Sequence, residues 1–205
     1  MVLVTTPTPF RSIVRIEQPP VEPVSVFEAK QHLRIEADMA DDDELLAGLI
    51  SAARVAVESR LGMTLTATKW RAKLGPWSAC ACRGYDVPYP PLLVDDKHPI
   101  EITYRDHDGT TITVPADEIS ADPTEIPGRV HVSHNLSGPC CEADATITWW
   151  GGVVVPSQVP PPIRAALLRI VGALYTRRGD TAESIITGDP GVDAMLASCS
   201  ISGRF

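Results

Sequence analysis

Apolar positions recur at helical spacing in three parts of the chain. In "SVFEAKQHLRI", Val26, Ala29 and Leu33 make one face, Ser25 is a good N-cap, and Glu28 three positions later completes a capping box. In "DELLAGLISAARVAVESRLG", Leu46, Leu49, Ile50, Ala53, Val57 and Leu61 repeat with the same period, and Gly62 supplies the stop. In "VPPPIRAALLRIVGALYTRRGD", Ile163, Ala166, Leu167, Ile170, Val171 and Leu174 follow the pattern closely. Proline is tolerated at that helix start because the first N–H groups have no partner anyway. Arg177 and Arg178 suit the negative end of the helix dipole, and Gly179 ends the run. Helices are expected over 25–34, 42–61 and 161–178, with Leu49, Ile50, Ala53, Leu167, Ile170 and Leu174 buried together.

Between 63 and 159 the period changes from helical to alternating. "TATKWRAKL" places Trp70, Ala72 and Leu74 on one side of a strand. "IEITY" and "TITV" alternate too and flank "RDHDG", whose Asp108-Gly109 is a strong hairpin signal. "RVHVS" and "ATITWW" read as further strands, separated by turns such as Pro127-Gly128. Residues 1–23 are rich in Pro, Thr and Val and predict an extended arm with one short strand at "RSIVRI". The tail carries a short apolar patch at Met195-Leu196. The expected architecture is α+β: a small helical bundle of three to four helices from 24–62 and 160–196, a β-rich insertion over 63–159, and extended arms at 1–23 and 197–205.

Composition narrows the function. The chain has 205 residues, 44% of them hydrophobic, so it can bury a real core. No apolar run approaches a membrane span, and the start lacks the basic and apolar blocks of a secretory signal. The expected setting is a cytoplasm, or a particle assembled in one, with no membrane partner. A net charge of −8 argues against gripping a nucleic-acid backbone, though not against DNA sliding past. Cys80, Cys82, Cys140, Cys141 and Cys199 are an odd number and are expected to be free thiols.

The stretch "ADMADDDELLAGLI" concentrates Asp38, Asp41, Asp42, Asp43 and Glu44 and raises the question of a metal site. A calcium loop needs oxygen ligands at alternating positions, Gly sixth and Glu twelfth, and that pattern fails from Asp38 or Asp41. Successive acids also point in different directions round a helix. As a helix start they fit, accepting unpartnered N–H groups at the positive dipole end. The "CAC" at 80–82 and "CC" at 140–141 do not have structural zinc spacing. His131, His134, Cys140 and Cys141 converge only if a loop folds back, which leaves a small metal protein or enzyme as the competing reading. Arg178-Gly179-Asp180 falls where a helix ends, and "WWGG" lacks phosphate-loop spacing. No nucleophile elbow, Walker loop, dinucleotide fingerprint or His-Glu-x-x-His is present. The expectation is no enzyme, with no catalytic residue, cofactor or metal.

The layout "PVSVFEAKQHLRIEADMADDDELLAGLISAARVAVESRLG" resembles the opening of the bacteriophage head–tail connector (adaptor, or head-completion) family. The matching positions are Val24, Ser25, Glu28, Ala29, Lys30, Leu33 and Arg34, then Asp41 to Glu44, then Glu58 and Gly62. The helix opened by "VPPPIRAA" and the closing "GVDAMLA" are similar to the family's later segments, with Met195-Leu196 where a Leu-Leu pair is usual. The resemblance implies a structural protein of the virion neck, assembled in the host cytoplasm. It implies a ring of copies, typically twelve, below the portal protein and above a tail or stopper protein, with DNA passing through unbound. It also implies that the C-terminal segment reaches towards the portal. Ile201, Arg204 and Phe205 are then the expected interface residues, because Arg and aromatic side chains are common anchors. A neck or tail-completion protein at another position in the particle is a second alternative, after the metal protein or enzyme using His131, His134 and the cysteines.

Overall fold

The structure is a computed structural model that describes residues 10–76, 84–105, 108–133, 144–177 and 179–199. It is mixed α and β with antiparallel sheets, and the chain divides into two compact units. One unit holds residues up to Gln18 and Thr68–Gly152, the other Pro19–Ala67 and Val153 onwards.

The second unit carries five α-helices among the described residues, one more than the upper end of the sequence expectation. Helix α1 spans Val26–Leu33 and begins as predicted. The Glu28 N–H donates to Ser25 Oγ at 3.2 Å, and the Ser25 N–H donates back to the Glu28 carboxylate at 2.8 Å. Helix α2, Asp43–Leu61, stops at Gly62, whose φ of +66° is the left-handed conformation that favours glycine. Helix α3 is Pro161–Thr176. The remaining two are α4, Ala182–Gly188, capped by Thr181, and α5, Pro190–Ala197, capped by Asp189. The core joins Leu46, Ile50, Ala53 and Val57 of α2 to Ile163, Leu167 and Ile170 of α3, closed by Ile185, Val192 and Leu196. Leu49 is only partly buried, at the margin of this core. No described helix is long and apolar enough to cross a membrane.

The first unit contains the strands. They are β1 (Phe10–Glu17), β2 (Thr68–Pro76), β3 (Tyr85–Asp86), β4 (Leu92–Leu93), β5 (Glu101–Arg105), β6 (Thr111–Thr113), β7 (Ile119–Asp122), β8 (Arg129–Val132) and β9 (Asp144–Gly151). Six of them make a sheet in the order β1-β2-β9-β5-β6, with β4 also on β9, and β3-β8-β7 make a second. The expected alternation holds in β2, where Trp70, Ala72 and Leu74 are buried while Arg71 and Lys73 are exposed. Register carries that inside face across the sheet: Ile13 opposes Ala72, Ala72 opposes Ile147, and Ile147 opposes Ile102. The "RSIVRI" strand is present and pairs with β2. The Asp108-Gly109 hairpin is present too, with Thr103 opposite Thr113 and Gly109 at φ +79°.

Candidate assembly surfaces

The acidic stretch opens α2, but not by the side-chain capping expected of it. Asp42 occupies the N-cap position, and its carboxylate takes no helix N–H. Instead it accepts the Tyr175 hydroxyl of α3 at 2.5 Å. Asp43 pairs with the buried ammonium of Lys30, which also donates to the Ala37 carbonyl at 3.4 Å. Two of the acids therefore tie α2 to α3 and α1, while still meeting the positive end of the α2 dipole. Glu36, Asp38, Asp41 and Glu44 stay exposed, and no ion pair among the described residues involves them.

Alpha-helix α2 also carries a charged cluster that the apolar pattern hid. Arg54 is 1% exposed. Its Nε donates to Glu22 at 2.7 Å, Nη1 to Glu58 at 2.9 Å, and Nη2 to Ser51 Oγ at 3.3 Å. The other oxygen of Glu58, itself 4% exposed, accepts the Leu65 N–H at 2.9 Å. One guanidinium thus fastens the segment before α1, and through Glu58 the segment after α2, to the same helix. The i, i+4 spacing of Arg54 and Glu58 was the available signal in the sequence.

Further ties position α1 and α5. Arg164 of α3 binds the Glu28 carboxylate. Burial alone would raise that carboxyl, but the Ser25 N–H and hydroxyl, joined by Arg164, hold it below the ordinary carboxylate value. Asp189 shows the same balance: burial raises it, while the Val192 and Gly191 N–H groups and Arg169 lower it further. Arg169 reaches Asp189 at 2.8 Å, and Arg60 of α2 reaches Asp193 of α5 at 2.8 Å.

The residues expected to carry chemistry or contacts are only partly within view. His131 is half-buried on β8 beside Gly84, where an added Cβ would sit 2.7 Å from the imidazole. His134, Cys80, Cys82, Cys140 and Cys141 lie outside the described residues, as do Ile201, Arg204 and Phe205. Cys199 is a free thiol just beyond α5. Among the described residues no three His, Cys, Asp or Glu side chains are grouped to hold a metal ion. What the helical unit does present is exposed apolar surface. Leu45 and Val55, 47% and 44% exposed, share an outward stripe of α2 with Gly48 and Ala52, and Phe27 of α1 is 55% exposed.

Comparison with known proteins places this arrangement. The family described as phage gp6-like head-tail connector protein matches residues 24–88, from the approach to α1 through α2 and onto the strands. The chain resembles the head–tail connectors. The matched segment contains the capping box, the acidic turn and the Arg54–Glu58 pair; the connector-like reading of α3 and α5 lies beyond it. The fold is shared more widely. A chain in the virion of a native gene transfer agent particle superposes with a TM-score of 0.69 at 20% identity, over 94% of this chain and 99% of that one. A chain in the neck of an empty gene transfer agent particle, computed with C6 symmetry, gives 0.68 at 20% identity over 95% and 100%. One in the neck of the native particle, computed with C12 symmetry, gives 0.64 at 19% over 95% and 100%. No curated protein matches.

Proposed function

We propose that this protein is a structural head–tail connector (adaptor) of a tailed phage or phage-like particle. Copies form a ring below the portal protein and link the head to the tail or stopper, leaving a channel through which DNA passes. The observation that carries the reading is the α1–acidic turn–α2 segment, which matches the connector family over 24–88 and sits in a fold shared almost end to end with particle-neck chains. A ring of twelve is supported by the C12 symmetry of one of those necks. The outward apolar stripe of α2 and the exposed Phe27 suit burial against neighbours. The net charge of −8 suits a wall that DNA slides past, since like charges repel.

The tail is assigned to the portal contact. Helix α5 ends at Ala197, so the contact residues Ile201, Arg204 and Phe205 follow a helix held in place by Asp189. Deleting the gene should leave DNA-filled heads without tails, and reconstruction of complete particles should place the protein between portal and tail. Tailed particles assembled without it would overturn the reading. Deleting 200–205 should leave melting unchanged but abolish joining to filled heads; normal joining would remove the tail from the contact.

A further inference from the structure

The exposed face of the six-stranded sheet is unlike the rest of this acidic chain. Register places Lys73, Thr146, Thr103 and Thr113 in one row across β2, β9, β5 and β6, on the side away from Ala72, Ile147 and Ile102. Arg71 lies in the next row and Arg105 at the end of β5, both exposed. No ion pair among the described residues neutralises Arg71 or Lys73, whereas Lys69 on the same face pairs with Glu17 at 3.4 Å. In the rows of Lys73 and Arg71 Glu101 is the one carboxylate, so these two rows carry a local excess of one positive charge in a chain of net −8. Charges that only protect a sheet from unwanted pairing belong on its edges. Here Arg71 and Lys73 are on β2, an interior strand.

We propose that this face docks the acidic α1–α2 turn of a second copy of the chain. The inference rests on the ring reading above and names the surfaces that would build the ring. The turn offers Glu36, Asp38, Asp41 and Glu44, all exposed, around Met39, which is 51% exposed. The sheet offers Arg71 and Lys73 with a row of hydroxyl donors, beside Val14 of β1, which is 50% exposed and directly opposite Arg71. Carboxylates around an apolar side chain thus meet cations and hydroxyls around another, which is the complementarity that fixes register between partners. The two surfaces are different patches, so the contact is head-to-tail, the kind that closes into a ring when the rotation allows. Duplex DNA fits less well: the two cations Arg71 and Lys73 on a threonine-lined sheet of an acidic protein give little phosphate neutralisation.

The test uses assembled full-length protein made from a mixture of ordinary and ¹⁵N-labelled copies. Carbodiimide couples an amine to a carboxylate without a spacer, so mixed-isotope peptides should join Lys73 to Asp38 or Asp41. Arg71→Glu with Lys73→Glu should lower the assembled fraction by about tenfold or more, with unchanged melting. Adding Asp38→Lys and Asp41→Lys should restore it. Assemblies that form while Lys73 joins none of the four carboxylates, or that the charge reversal leaves intact, would overturn the docking face and leave the ring. Wild-type protein that forms no ring even on heads would overturn both. Duplex DNA binding that the charge reversal abolishes without touching assembly would give the face to nucleic acid instead.

Discussion

Replacing Arg54 by Met is the sharpest probe of the helical unit. Methionine keeps the length of the side chain and removes the guanidinium. Glu58, 4% exposed, then loses its ion pair while still accepting the Leu65 N–H, and Glu22 loses the guanidinium too. A buried pair broken on one side costs about 3–5 kcal/mol, because an uncompensated charge is left behind. For a chain of this size each kcal/mol moves the midpoint by about 2–4 °C, so the expected fall is about 6–20 °C. That is a large part of the ~5–15 kcal/mol that folded proteins have in total. The control is Arg54→Met with Glu58→Gln, which removes the stranded charge while keeping an oxygen for Leu65. It should recover most of the loss. Denaturant titration followed by circular dichroism measures all three proteins. The reasoning fails if Arg54→Met melts within about 1 kcal/mol of wild type, or if the double variant is no better than the single one.

Leu167 is fully buried, so Leu167→Ala should cost about 2–5 kcal/mol. Leu167→Asp should abolish the helical signal by burying a lone carboxylate; unchanged dichroism would place Leu167 outside the core. Asp42→Ala and Tyr175→Phe should each cost about 1.5 kcal/mol and be strongly non-additive in a double-mutant cycle. Asp41→Ala, at an exposed carboxylate with no ion pair among the described residues, should stay within about 0.5 kcal/mol. Calcium or magnesium should leave the melting temperature where it is, and a saturable rise would reopen the metal reading. The Glu28 carboxyl is held below its ordinary value of 4.5, so its stabilising contribution is complete above that pH and disappears as pH falls through the lowered value. Glu28→Gln should therefore be less stable than wild type at neutral pH, with the gap closing in acid; a constant gap would assign the effect to packing.

The sequence made some parts of the molecule legible and hid others for physical reasons. Periodicity located α2 and α3 because each buries one continuous stripe, and the boundaries agree to within two residues. Alternation found β2, and the Asp108-Gly109 pair found the β5–β6 hairpin, because both signals are local. Helix α4 escaped notice: seven residues are too few to display a period, and its cap is the quieter Thr181–Ser184 pair. Which strands pair with which is a long-range matter, and nothing local in "RSIVRI" announces that it lies against β2. The Arg54–Glu58 spacing was legible, but the burial of Arg54 was not. A charged residue within an apolar helix pattern suggests exposure, and only the partners Glu22 and Glu58 make its burial tolerable. The acidic stretch was recognised as a helix start, but the destinations of Asp42 and Asp43 depend on α3 and α1.

The chain leaves one unit for the other after Gln18, after Ala67 and again after Gly152. During synthesis this interleaving gives the two cores different birthdays. All nine described strands have been translated once Gly151 is made, so the sheets need nothing from the C-terminus. Helix α2, by contrast, is finished at Leu61 and finds no α3 until Pro161 onwards. At ~5–20 residues per second, its Ile50 and Ala53 face waits roughly 5–20 s on the ribosome without its partner. The capping box on α1 and the Arg54 ties use only residues already made, from Glu22 to Leu65. They are the ties available to the nascent α1–α2 segment through that interval, before its apolar side has anything to cover it.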